Sequence, residues 1–332
     1  MAIAGAAVAM TSACSAAPIA LHTPSTPPAM ARENATRVEL LPISVATLTS
    51  GDDVVVSKIS IQPPGPATVL ASAMRTELGS RALTGGEPGG YQAKCHLDRF
   101  ALRTDKFESL GMAILYVDLG CTVSRTKDGV AVWRGALRGR GAAAGKTTEF
   151  SDDDQMWQAF ADRMMSDVSR ELASDLAVGV LGLTAKPSQR AFGNEDAQRL
   201  GAGVDDTPFG VIALAEDSEA AAGVVNQLRD PDPILRASAW NAIAMASGPD
   251  RPWVGGVDTI YDDDAYVRFF QYKALARQAS SSALADLKRN LKRENQSLLE
   301  ESIKDSLASA GIGLRRPPSN DTAATKGATT SP

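Results

Sequence analysis

The amino-acid sequence predicts an α+β N-terminal domain, a mostly antiparallel sheet with two helices, followed by an all-α domain of repeated helical hairpins. Three observations predict this. Segments rich in Val and Ile, broken by turn residues, fill much of the first half. In the second half, Leu228–Ser247 and Ile260–Ser280 match at a constant offset of 32 residues. A fixed period of this length marks stacked helical pairs that present a surface for binding. Between the halves, 186–206 holds Pro187, Gly193, Gly201 and Gly203 and reads as a linker.

In the first half, Arg37–Leu48 and Asp53–Gln62 read as strands, the second ended by Pro63, Pro64 and Pro66. Ala67–Leu83 reads as a helix, with Val69, Leu70, Ala73, Leu78 and Ala82 on one face. Strands follow at Tyr91–Leu102, Met112–Val123 and Val130 to about Gly139, with Lys127-Asp128-Gly129 as the hairpin turn between the last two. Tyr91, Ala93, Cys95 and Leu97 share one strand face, as do Ala113, Leu115, Val117, Leu119, Cys121 and Val123. Cys95 and Cys121 therefore form a candidate disulfide, two buried free thiols being the alternative. A closing helix starts at Ser151, its expected cap. It carries Met156, Phe160, Met164, Val168, Leu172 and Leu176 at helical spacing to about Leu183. The Asp152–Asp154 run suits the positive end of that helix better than a metal.

In the repeats, Asp230 aligns with Asp262, Asp232 with Asp264, Leu235 with Val267 and Arg236 with Arg268. The aspartates cap the second helix of each pair, and Pro231 and Pro233 fit its first turn. The arginines are expected to pair with a neighbouring acidic turn. First helices are expected at Ser218–Leu228, Pro252–Tyr261 and Ala283–Arg293. Second helices are expected at Pro233–Ala246, Ala265–Ala279 and Ser297–Ala310. The third copy has Glu300 in place of the repeated Arg, as in a terminal cap. Two clear copies and one weak one are few for such a stack, so the stack is expected to lean on the first domain. The Asp-Pro-Asp-Pro-x-(Leu/Val)-Arg-x-x-Ala pattern resembles HEAT repeats. That resemblance implies a protein-binding groove, for which Trp240, Phe269, Phe270 and Tyr272 are the candidate partner surface.

At the N-terminus, the apolar run Ala2–Met10 precedes Thr11, Ser12, Ala13 and Cys14, then a Pro-rich low-complexity stretch. This resembles a bacterial lipoprotein export signal, which implies lipidation of Cys14. It departs from that pattern in having no leading Lys or Arg and Thr11 three places before the Cys. A start further upstream would supply the missing charge. Leu40-Leu41-Pro42 and Val132-Trp133-Arg134-Gly135 make the first domain similar to envelope-assembly and transporter-auxiliary lipoproteins. The expected divisions are an export signal (1–14), a disordered tether (15–35), the α+β sandwich (36–185), the linker (186–206), HEAT-like repeats (207–312) and a disordered tail (313–332).

Chemistry is thin. A net charge of −5 supplies no basic field for nucleic acid. Gly139–Thr147 (GRGAAAGKT) misses the phosphate-loop spacing, with Arg140 where a Gly is needed, so no nucleotide is expected. Only two histidines occur, His22 and His96, and no metal or other cofactor is expected. The reading is a non-enzymatic envelope lipoprotein, lipid-anchored in the outer membrane and facing the periplasm. It would act as a protein-binding adaptor or auxiliary subunit of an envelope complex. The alternatives are an enzyme with a site between its domains and a cytoplasmic HEAT-repeat scaffold.

Overall fold

The computed structural model describes residues 20–22, 37–45, 64–80, 83, 90–107, 110–181, 225–246 and 261–309. The expected strand Asp53–Gln62, the linker, the tail, Cys14 and most of the expected helices Ser218–Leu228 (up to residue 224) and Pro252–Tyr261 (up to residue 260) lie outside them.

A sheet forms the middle layer. Its long strands are β3 (Tyr91–Phe107), β4 (Leu110–Arg125) and β5 (Ala131–Lys146), paired antiparallel in sequence order. The expected first strand is divided into β1 (Val38–Leu40) and β2 (Ser44–Val45), which both pair parallel to β3. Pro42, which has no N–H to give a ladder, sits in the break. Gly129 adopts φ 68° in the β4–β5 turn, where Asp128 Oδ1 also accepts from the Val130 N–H at 3.1 Å.

Helices α1 (Pro66–Ser80) and α2 (Asp153–Ser174) cover one face. The cap of α2 is Asp152, not Ser151: its carboxylate accepts from the Gln155 N–H at 2.8 Å, while Ser151 Oγ bonds the Gln155 side chain. Beyond Ser174 the helix widens into a π turn, Asp175–Val180. The near-miss phosphate loop is strand. Gly139 and Gly141 lie beneath α2, where an added Cβ would stand 2.6 Å from Val168 Cγ1 and 2.9 Å from the Met164 carbonyl. Glycine spacing here lets helix and sheet approach.

Helices α3 (Pro233–Ala246), α4 (Ala265–Gln278), α5 (Ser281–Leu291) and α6 (Ser297–Ser309) form the other layer. They do lean on the sheet. Ala101, Met112, Ile114, Tyr116 and Ala142 join Trp240, Ile243, Phe269, Phe270, Tyr272 and Leu299 in a second core. The first core, around Leu70, Met74, Leu115, Leu119, Met164 and Leu172, lies on the opposite face. The chain is thus α+β overall, with a mixed sheet between two helical layers.

Two local features depart from expectation. A bulge between Leu97 and Arg99 shifts β3 by one residue, so Phe100 and Leu102 enter the first core while Arg99 and Arg103 turn toward α6. Three residues of the stretch expected to be a disordered tether, Ala20–His22, instead lie against α2, with Leu21 buried in the first core.

Candidate functional site: an ionic seam between sheet and helices

Repeat chemistry builds one side of the site. Arg236 donates through Nε and Nη2 to Asp262 at 2.8 and 3.0 Å and through Nη1 to the carbonyls of Asp230 and Pro231. Arg268 does the same one repeat later, to Glu294 at 3.0 and 3.1 Å and to the carbonyls of Asp262 and Asp263. The first carboxylate of each turn also accepts from the N–H two residues on: Asp230 from Asp232, Asp262 from Asp264 and Glu294 from Gln296. Asp232 and Asp264 then accept from first-turn amides of α3 and α4, those of Ile234 and Tyr266. Tyr272 Oη donates to Glu294 at 2.7 Å, and burial with that carboxylate pushes its phenol upward.

The seam itself joins repeated helices to sheet. Asn241, Lys273 and Asp305 occupy the same place in successive repeats, 32 residues apart. Asp305 accepts from Arg99 Nη1 at 2.5 Å and Arg140 Nε at 2.8 Å, and Arg140 Nη2 lies 2.8 Å from Asp118. The Tyr116 ring lies beneath the Arg99 and Arg140 guanidinium groups, 4.6 and 5.3 Å from its centroid. Arg103 pairs with Glu301 at 3.1 Å. Burial opposes charge on Asp305, but Arg140 and Arg99 overcome it and hold the carboxyl below the ordinary carboxylate range.

A second cluster lies where α2, α4 and β5 meet. Glu171 contacts Lys273 at 3.1 Å and Arg277 at 2.8 Å. Arg277 reaches on to both oxygens of Asp175, at 3.0 and 2.6 Å. Glu171 also accepts the Arg140 backbone N–H at 2.8 Å, while Lys273 Nζ donates to the Arg140 carbonyl at 2.7 Å. Burial would raise Glu171, but Lys273 and Arg277 outweigh it and keep the carboxyl low. Burial pushes Asp175 up, and Arg277 offsets only part of that. Asp167 is raised chiefly by burial, against Arg163 and Arg170.

The candidate partner surface is corrected. Trp240, Phe269, Phe270 and Tyr272 are 4%, 1%, 2% and 0% exposed, because the sheet occupies the side of the stack where a groove was expected. All four aromatic residues of α4, Tyr266 included, turn inward at once, since α3, α5, α6 and the sheet surround that helix. The repeat-defining Asp230, Asp232, Arg236, Asp262, Asp264 and Arg268 form the ladder described above. Cys95 and Cys121, direct partners across β3 and β4, are joined with S–S 2.10 Å. His96 lies on the exposed half of the sheet against Asp98, at 2.9 Å.

Among the described residues no group of three or more His, Cys, Asp or Glu could hold a metal ion, and no helix is long and apolar enough to cross a membrane. Sequence reasoning missed the seam. Its signal was the uninterrupted apolar run Met112–Val117, which gives β4 two buried faces.

No protein-family model matches the chain, and no curated protein matches it. Distant structural neighbours are bacterial lipoproteins. A minor lipoprotein from Acinetobacter baumannii is 10% identical, with TM-score 0.25, covering 32% of this chain and 81% of its own. A protein described as a lipoprotein from Caulobacter crescentus CB15 is 18% identical, with TM-score 0.25, covering 36% and 87%. At that identity and overlap the likeness carries no functional argument.

Proposed function

We propose that this chain is a non-enzymatic, lipid-anchored envelope protein that serves as an adaptor or auxiliary subunit of an envelope complex. The observation that carries the reading is the bond between Cys95 and Cys121, because disulfides persist in oxidising compartments. The apolar run before Cys14 supplies the export segment and the acylation point. The buried carboxylates support a structural role: Asp167, Glu171, Asp175 and Asp305 each face opposite charge where the helices and sheet pack. HEAT-like stacking remains part of this proposal, resting on the ladder that recurs every 32 residues. With the inner side of the stack against the sheet, the contact surface is the outward side, where Lys288, Arg289, Lys292 and Arg293 of α5 and its exit are exposed. They suit an acidic protein surface at the periplasmic side of the outer membrane.

Fractionation with intact-mass measurement tests the address. The expected result is an acylated Cys14 at the mature N-terminus, a membrane-fraction protein with one disulfide, and release on Cys14→Ala. A soluble cytoplasmic protein with unmodified Met1 and three free thiols overturns it. For the partner, cross-linked capture from intact envelopes is expected to fall at least fivefold in the Arg289→Glu, Lys292→Glu double variant. Undiminished capture would remove the α5 surface from the proposal.

A further inference from the structure

We infer that Ala20, Leu21 and His22 form a strap that ties the N-terminal segment to α2 and so fixes which side of the molecule faces the membrane. This deepens the lipid-anchor reading and rests on it. Three contacts make the strap. The Gln158 side-chain amide reads the Ala20 backbone at both ends, accepting from its N–H at 3.0 Å and donating to its carbonyl at 2.6 Å. Leu21 enters the first core and is 8% exposed. His22 Nδ1 lies 2.9 Å from Asp162 Oδ1, and Gln158 donates to the same oxygen at 3.1 Å, which orients both side chains.

The strap shortens the leash. From Cys14 to Ala20 there are six residues, which span at most about 20 Å when extended. A free tether reaching to residue 37, just before β1, would allow about 75 Å. The strap also sets direction. At about 100° per helical residue, Glu171 stands half a turn around α2 from Asp162. Strap and repeated helices thus grip opposite flanks of α2, since Glu171 meets Lys273 and Arg277. The α2 layer lies toward the lipid and the α5 surface points away from it. The exposed Asp152–Asp154 run near the strap repels anionic headgroups, so the acyl chains, and not surface charge, hold the body there.

The test uses acylated full-length protein in phosphatidylcholine vesicles carrying a trace of rhodamine-labelled lipid. A donor dye is placed on Ala159→Cys of α2 or on Lys304→Cys of α6, both exposed positions. Energy transfer to the lipid is expected to be at least twofold higher from position 159 than from 304. Gln158→Ala, a helix-compatible change, and separately Leu21→Asp, are expected to bring the two values together, with circular dichroism confirming a folded chain. Equal transfer from both positions with the strap intact, in protein whose mass shows the acyl group, overturns this inference and leaves the anchor reading standing. A mass without the acyl group overturns both.

Discussion

Arg236 and Arg268 hold the same place in successive repeats, yet their surroundings differ. The Arg236–Asp262 pair keeps 17% and 15% of its side chains exposed, whereas Arg268 and Glu294 keep 4% and 0%. Removing one member of a buried pair strands the other charge away from water. Arg268→Ala is therefore expected to cost about 3–5 kcal/mol, and Arg236→Ala about 1 kcal/mol, read from urea unfolding midpoints. Equal losses would show that burial does not separate the two rungs. The pairing of each arginine with the next acidic turn was legible from the period alone. Their unequal burial was not, because it depends on how much protein lies around each rung.

Single elements tell a similar story. The second helices were expected at Pro233–Ala246, Ala265–Ala279 and Ser297–Ala310 and run Pro233–Ala246, Ala265–Gln278 and Ser297–Ser309. Aspartate caps mark the starts of α3 and α4 in any context, and the 32-residue period carries that start on to α6. The contacts that α4 and α6 make with the sheet were illegible, because Lys273 and Asp305 look like solvated residues until the sheet is in place. Asp305 on α6 gives these contacts a pH signature. Its folded-state carboxyl lies below its unfolded value of about 3.9. Its contribution is therefore present above the unfolded value and is lost as pH falls through the folded one. Asp305→Asn is expected to lower stability at pH 7 and to flatten its decline between about pH 5 and 2. Unfolding curves across that range check this; a decline as steep as in the parent would assign the acid sensitivity to other carboxylates, such as Glu171.

At the scale of the whole molecule, one sheet serves two cores, and the layers should fail together. Trp133 belongs to the first core and Trp240 to the second. Variants that keep only one of these tryptophans are expected to unfold at the same denaturant midpoint, as a single cooperative unit does. Two separated midpoints would show that the helices dissociate from the sheet before it melts. The phase change in β3, from Leu97 on odd positions to Phe100 and Leu102 on even ones, was visible in the sequence as a broken alternation. So was the doubly apolar Met112–Val117. What no local pattern could supply was the distance between Glu171 and Lys273, which are 102 residues apart in the chain and reach each other only across two layers.

That same pair has one more effect. Where β5 offers the Arg140 amide and carbonyl outward, a carboxylate and an ammonium already occupy them. An incoming extended peptide would have to evict two buried ions before it could anneal along this border. Whatever this protein recognises, it meets through side chains and surfaces, not by lending its sheet an extra strand there.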